Sequence, residues 1–129
     1  MIHGFLKACT VSPALRVADC AFNTQQTIAA MQRAAADGAQ LAVFPELGLT
    51  GYTCGDLFLS ALLLDAAEEA LLNICAHTQN CDPVVVLGVP LRAGGKLYNC
   101  AAVLHRGRIL GVVPKTVSYT HLTLPTTSR

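Results

Sequence analysis

The sequence predicts an α/β domain built on a mixed β-sheet, and two observations support this fold class. Short apolar segments with the composition of buried strands alternate with longer segments in which apolar residues recur at helical spacing. Two further strand-like segments follow, and a short turn joins them. Strands that alternate with helices and then end in a hairpin are typical of layered α/β domains whose sheet is partly parallel and partly antiparallel.

The first half of the chain predicts a strand, a helix and a second strand. Residues 6–11 form a short apolar segment of strand-like composition. Helical spacing follows over residues 19–37, where Asp19 is a suitable N-cap and Gly38 a suitable terminator. Residues 41–44 then predict a fully buried strand. The expected buried side of the helix comprises Ala21, Thr24, Ile28, Met31 and Ala35.

The second half predicts a helix and three strands. Ser60 is a suitable N-cap for a helix that runs to about His77. Its expected buried side comprises Leu63, Ala67, either Ala70 or Leu71, and Ile74. The strands are expected at 83–90, 96–104 and 108–113, with the hairpin turn His105-Arg106-Gly107 between the last two.

The composition indicates a folded domain without an electrostatic signature for polyanions. Of 129 residues, 53% are hydrophobic and 13% are charged, which excludes intrinsic disorder. The net charge of +1 predicts neither a nucleic-acid partner nor a membrane partner. The apolar stretch 57–75 contains acidic residues and does not predict a membrane span. Because the N-terminus also lacks the pattern of a signal peptide, we expect a soluble, cytoplasmic protein.

Neither the cysteines nor the histidines predict a metal site. The six cysteines match no zinc-ligand spacing, and several lie inside apolar segments. We therefore expect most of them to be core thiols. The four histidines are too scattered along the sequence to suggest a ligand set, so no metal is expected in this domain.

Residues 117–129 differ in character from the rest of the chain, because they are Thr-rich and non-periodic. Two interpretations are open. The segment is a disordered terminus, or it does not belong to the natural protein and resembles translated sequencing-adapter read-through. On either interpretation, the domain occupies residues 1–116.

Two residues of opposite charge follow strands that end in proline. Glu46 comes directly after Phe44-Pro45, and Lys115 comes directly after Val113-Pro114. Ligand crevices of α/β sheets commonly open at the carboxyl ends of strands. In one crevice, an ammonium group favours the ionised form of a carboxylate and can stabilise a developing oxyanion. Alone, Glu46 would be interpreted as a solvated loop acid; the second charged strand end favours a catalytic pair.

These segments resemble the motifs of the nitrilase, or carbon-nitrogen hydrolase, superfamily. The similar segments are Phe44-Pro45-Glu46-Leu47, Thr50-Gly51-Tyr52, Asn99, Arg106-Gly107 and Pro114-Lys115. More narrowly, the chain resembles the N-terminal glutamine-amidohydrolase domain of the glutamine-dependent NAD synthetases. The segments similar to that branch include His3-Gly4-Phe5, Asp56-Leu57, Gly88-Val89-Pro90-Leu91-Arg92 and Leu97-Tyr98-Asn99-Cys100-Ala101.

The resemblance implies a nitrilase-like four-layer α-β-β-α sandwich, of which this chain holds only the N-terminal part, and a Glu-Lys-Cys triad. Glu46 matches the general base, and Lys115 matches the cation that stabilises the tetrahedral intermediate. Tyr52 matches a residue of the glutamine pocket, although an aromatic anchor for its loop is an equally good interpretation. The family's nucleophilic cysteine lies downstream of the lysine, in a segment that this chain does not contain. Cys54 matches no catalytic position, so we expect the chain to be inactive by itself.

The resemblance also implies partners. The substrate is expected to be glutamine, and the amidase domain is expected to need no cofactor. Its ammonia would pass to a C-terminal synthetase domain, absent here, that uses ATP and Mg²⁺ to amidate nicotinate adenine dinucleotide to NAD. We use "the full-length protein" for the expected homo-oligomeric protein that contains both domains. Without the later strands of the sandwich, one face of the sheet is expected to be exposed, so we expect the chain alone to fold poorly and to aggregate.

Two other functions stay open on the sequence. One is another nitrilase-superfamily amidase that acts on a different amide or carbamoyl substrate. The other is a non-catalytic α/β interaction module that retains part of the sandwich. A synthetase domain encoded downstream would argue against the first, and loss of function on substitution of Glu46 or Lys115 would argue against the second.

Overall fold

A computed structural model describes residues 4–51 and 60–115, which form a five-stranded mixed sheet with two long helices. The elements in chain order are β1 (Ala8–Thr10), α1 (Cys20–Ala36), β2 (Leu41–Val43), α2 (Ala61–His77), a short 3-10 helix (Thr78–Asn80), β3 (Val84–Ala93), β4 (Lys96–His105) and β5 (Arg108–Pro114). The strands lie in the sheet in their order along the chain. β1, β2 and β3 are parallel, whereas β4 and β5 are added antiparallel. The mixed α/β sheet that the sequence predicts is therefore confirmed.

Helices α1 and α2 cover one face of this sheet. Right-handed crossovers between successive parallel strands place their helices on the same face, and the two helices pack against each other. Met31 of α1 and Ile74 of α2 are fully buried and share a core with Val85 and Leu87 of β3. Each such side chain contributes roughly 1.5–3 kcal/mol when it leaves water, so this helix-covered face is the main source of stability.

The predicted helix boundaries are close to the observed ones. α1 begins directly after Asp19, whose carboxylate accepts a hydrogen bond from the Phe22 N–H at 2.9 Å. Ser60 precedes α2 but makes no capping hydrogen bond with its side chain. Ala70 and Leu71, which the sequence offers as alternatives for the buried side of α2, are both buried.

The buried side of α1 agrees with the predicted one in part, since Thr24, Ile28 and Met31 are buried and Ala35 is half-buried. Ala21 is exposed, whereas Asn23 is 1% exposed. Asn23 can be buried because both polar groups of its side chain have hydrogen-bond partners. Its amide donates to the carbonyls of Arg16 and Leu49, and its oxygen accepts from the Arg16 N–H. Apolar periodicity does not find such a residue, because its burial depends on hydrogen bonds to loops outside the helix.

Burial of most cysteines agrees with the expected core thiols. Cys20, Cys75, Cys81 and Cys100 are buried, and Cys9 is half-buried. Within residues 4–51 and 60–115, no helix is both long enough and apolar enough to cross a membrane.

The face of the sheet opposite the helices carries apolar side chains that are only partly covered. Successive side chains of a strand point to opposite faces, so Val86 of β3 and Ala101 of β4 lie on this open face, and both are half-buried. Val113 of the edge strand β5 pairs with Ala101 and is 60% exposed. We define the open face by Val43, Val86, Ala101 and Val113. Among the residues that the structure describes, β5 forms an edge of the sheet. Partly covered apolar surface beside such an edge favours association with other chains.

We expect Val113→Lys to reduce self-association of the 129-residue chain severalfold, because a charge on an edge strand opposes strand pairing. Leu62→Lys is the matched control. Leu62 is also apolar and 81% exposed, but it lies on α2, away from the sheet edge. Light scattering against protein concentration measures the effect. Equal self-association of both variants would show that the sheet edge does not drive aggregation.

Candidate active site

The chain leaves β2 at the carboxyl edge of the sheet and crosses over β3. The Phe44 N–H donates to the Val86 carbonyl at 2.9 Å, which continues the β2–β3 ladder by one residue. Pro45 has no N–H to continue the ladder, and the strand stops there. The Leu49 N–H then donates to the Gly88 carbonyl at 3.3 Å. The residues between these two bonds, which include Glu46, therefore lie over β3.

Gly88 permits this crossing because it has no side chain. A Cβ atom at residue 88 would lie 2.3 Å from the backbone nitrogen of Leu47 and 2.4 Å from the carbonyl oxygen of Pro45. Both neighbours are backbone atoms, so no side-chain rotation would relieve the overlap. The position of Glu46 above the sheet therefore requires glycine at residue 88.

The turn after Glu46 is held by Leu47. This residue has a left-handed backbone, with φ of 53°, and its side chain is 4% exposed. Its carbonyl accepts the N–H of Gly51 at 2.9 Å and that of Thr50 at 3.3 Å. The left-handed conformation costs a non-glycine residue about 1–2 kcal/mol. Burial of the leucine side chain offsets this cost by roughly 1.5–3 kcal/mol.

Lys115 reaches Glu46 from the end of β5, over the same face of the sheet. Its N–H donates to the Asn99 carbonyl at 2.7 Å, which extends the β4–β5 ladder beyond Pro114. Asn99 itself lies in β4 opposite Pro90 of β3 and is 5% exposed. Its amide donates to Oε1 of Glu46 at 2.9 Å. The antiparallel arrangement of β3, β4 and β5 thus brings the ends of two distant segments together.

Glu46 and Lys115 form an ion pair. Nζ of Lys115 lies 2.6 Å from Oε1 of Glu46, although the two residues are 69 positions apart in the sequence. The side chains are 33% and 45% exposed, so both stay accessible from solvent. The structure thus brings together the two residues that the sequence singled out, whereas their roles in catalysis stay predictions.

The ion pair borders a depression of about 390 Å³ on the open face. Apolar side chains form most of its wall, including Val86, Ala101 and Val113, and Asn99 contributes a polar group. An apolar wall with a few converging polar groups is typical of sites for small molecules. Chemically, the carboxylate can accept a proton, and the ammonium can donate hydrogen bonds to an oxyanion.

Cys100 borders the same depression, but alternation along β4 places it on the opposite face from Asn99 and Ala101, and it is poorly suited to be a nucleophile. Burial raises the pKa of the Cys100 thiol above its ordinary value. A catalytic cysteine needs the opposite shift, because the thiolate is the reactive form. Tyr52 and Cys54 lie outside the described residues. Among the described residues, no three His, Cys, Asp or Glu side chains form a group that could hold a metal ion.

Asn99 belongs to one of the motifs of the family resemblance, and the sequence alone predicts no further role for it. A signal was present, because asparagine is disfavoured in strands and here interrupts an apolar β4. A buried polar side chain in such a strand indicates a specific hydrogen-bond partner. The partner itself could not be predicted, since it depends on the crossing of the Glu46 loop over β3.

Comparisons with known proteins agree on the class of this domain. The family described as carbon-nitrogen hydrolase matches residues 7–128. Glutamine-dependent NAD(+) synthetase from Mycobacterium bovis is 43% identical over 114 residues, which are 88% of this chain and 17% of that protein. The Aquifex aeolicus protein of the same name is 42% identical over 77 residues, 60% of this chain and 13% of that protein. The chain therefore spans less than a fifth of the length of these curated relatives.

Solved structures have the same fold. A glutamine-dependent NAD(+) synthetase from Cytophaga hutchinsonii superposes with a TM-score of 0.81 at 28% identity, covering 87% of this chain and 19% of that one. An amidase from Nesterenkonia sp. superposes with a TM-score of 0.72 at 23% identity, covering 88% of this chain and 44% of that one. The architecture is thus a nitrilase-type α/β layer, and the chain corresponds to part of such a domain. The chain belongs to the carbon-nitrogen hydrolase family. The domain boundary at residue 116 stays a prediction.

We expect Gly88→Ala to destabilise the domain in the full-length protein, because a Cβ atom would displace the backbone of the Glu46 loop. Overpacking of this kind typically costs about 1–3 kcal/mol. Gly111→Ala is the matched control, since a Cβ atom on this glycine of β5 meets nothing within 4 Å. Thermal unfolding of both variants measures the difference. Equal melting temperatures would mean that the loop does not lie against Gly88 in solution.

Proposed function

We propose that the chain is the N-terminal part of the glutamine-hydrolysing domain of a glutamine-dependent NAD synthetase. The ion pair of Glu46 and Lys115 at the border of the depression is the observation that carries this proposal. It supplies a proton acceptor and a fixed positive charge in one accessible place. The similarity to glutamine-dependent NAD(+) synthetases supports glutamine as the nitrogen donor.

In the proposed reaction, Glu46 takes the proton of a cysteine thiol from the part of the domain that follows this chain. The sulfur attacks the side-chain carboxamide carbon of glutamine, and Lys115 donates a hydrogen bond to the oxyanion that forms. Glu46 returns the proton to the amide nitrogen, so that the carbon–nitrogen bond breaks and ammonia leaves. A thioester remains on the cysteine.

The second half of the reaction uses the same groups. Glu46 takes a proton from a water molecule, whose oxygen attacks the thioester carbon while Lys115 again stabilises the oxyanion. The carbon–sulfur bond breaks, the cysteine regains its proton and glutamate leaves. In this scheme the amidase needs no metal or organic cofactor, and the 129-residue chain alone releases no ammonia from glutamine.

The proposal extends to the partners of the domain. The ammonia would pass to a synthetase domain that uses ATP and Mg²⁺ to amidate nicotinate adenine dinucleotide to NAD. Tyr52 would line the glutamine pocket. The full-length protein would be a cytoplasmic homo-oligomer.

We expect Glu46→Gln in the full-length protein to lower kcat/KM for glutamine hydrolysis by about 10²–10⁴-fold, which is the usual contribution of a general base. Lys115→Met keeps the aliphatic stem but removes the charge, and we expect a loss of about 10²–10³-fold. Ammonia released from glutamine and NAD formed are measured in parallel. Synthesis supplied with ammonium salt should stay at the wild-type rate, because that reaction bypasses both residues.

Glu68→Gln is the matched control for the glutamate substitution. Glu68 is an exposed residue of α2 on the helix-covered side of the sheet, so this variant should keep wild-type activity. Unchanged glutamine hydrolysis in Glu46→Gln would refute the proposal. Hydrolysis of a different amide, with no synthesis of NAD, would identify another amidase of the same superfamily.

A further inference from the structure

Asn99 contacts both members of the ion pair. Its side-chain amide donates to Oε1 of Glu46 at 2.9 Å, and its backbone carbonyl accepts the N–H of Lys115 at 2.7 Å. It lies in β4, between β3 and β5, and is 5% exposed. A buried residue in an interior strand has little freedom to move, so it can hold both partners in register.

Two N–H donors converge on one oxygen of Glu46. Nζ of Lys115 lies 2.6 Å and Nδ2 of Asn99 lies 2.9 Å from Oε1. A carboxylate oxygen has two lone-pair sites, so these two bonds use the acceptor capacity of Oε1. A proton added to Oε1 would face two N–H groups. Protonation of Oε1 is therefore disfavoured while both bonds are made.

The two donors differ in what they can do during a reaction. The ammonium of Lys115 must also stabilise the oxyanion, so its bond to Glu46 is expected to weaken as the substrate is attacked. The amide of Asn99 contacts the carboxylate and does not need to contact the substrate. It can keep Glu46 oriented while Lys115 turns toward the oxyanion.

We propose that Asn99 is a positioning residue that holds Oε1 of Glu46 and thereby fixes the orientation in which the carboxylate exchanges protons with the nucleophile and with water. This inference rests on the proposed function. It adds a residue that acts through the general base without touching the substrate. When the general base is misoriented, the rate of the chemical step falls even if substrate binding is intact.

The first test is Asn99→Leu in the full-length protein. Leucine is similar in size and keeps the backbone carbonyl that accepts from Lys115, but it removes the amide donor. We expect kcat for glutamine hydrolysis to fall about 10–100-fold, with KM within about twofold of wild type, because orientation of the base is lost and substrate contacts are kept. NAD synthesis from ammonium salt should be unchanged.

The second test is Asn99→Asp, which separates positioning from a merely structural role. Among the described residues that line the depression, the titratable groups are Glu46, Lys115 and the thiol of Cys100. The introduced carboxylate, when ionised, cannot donate to Glu46 and repels it. Two adjacent carboxyl groups hold a shared proton to higher pH than one alone. When protonated, the introduced carboxyl group would donate its O–H to Oε1, so the rate relative to wild type should rise as the pH falls from about 8 to about 6.

Asn80→Asp is the control, because Asn80 is exposed in the 3-10 helix and the chemical change is the same. The rate of glutamine hydrolysis by Asn80→Asp should equal that of wild type at every pH. Unchanged kcat in Asn99→Leu, or a loss in Asn99→Asp that is constant with pH, would overturn the inference while the proposed function stands. A wild-type enzyme that does not hydrolyse glutamine would refute the proposed function and this inference with it.

Discussion

The site depends on one close approach, between the backbone of the Glu46 loop and the backbone of β3 at Gly88. The loop lies on the sheet because residue 88 has no Cβ atom, which would come within 2.4 Å of two backbone atoms of the loop. This contact places Glu46 above the open face instead of at its margin. From there its carboxylate reaches Asn99 of β4 and Lys115 beyond β5. The absence of a side chain at Gly88 therefore allows Glu46 to lie within hydrogen-bond distance of Asn99 and Lys115.

The two faces of the sheet differ in burial and in the residues that they carry. The helix-covered face holds the fully buried core, including Met31, Ile74 and Leu87. The open face holds the ion pair and an apolar depression whose walls are only partly buried. The stabilising core and the candidate site thus lie on opposite sides of one sheet. A second layer over the open face would exclude water around Glu46 and Lys115 and strengthen their electrostatic effects.

The sequence predicts the elements of this fold better than their arrangement. Apolar periodicity locates α1 and α2, Asp19 marks the start of α1, and proline stops mark the strand ends that carry Glu46 and Lys115. These signals are local. The roles of Gly88 and Asn99 could not be predicted, because each depends on contact between segments about 40 to 50 residues apart. Periodicity also fails for Asn23, whose burial depends on hydrogen bonds to residues outside the helix and not on apolarity.

We propose that Glu46 and Lys115 are two members of a catalytic site that a downstream cysteine completes. Independent sequencing of the coding DNA beyond the codon of Lys115, from the same source, tests it most directly. We expect the reading frame to continue through an aromatic segment with arginine and glutamate to a cysteine, and then to a nucleotide-binding domain. A reading frame that ends after Arg129 would contradict the proposed catalytic site, because the protein would then lack the nucleophilic cysteine that Glu46 and Lys115 need.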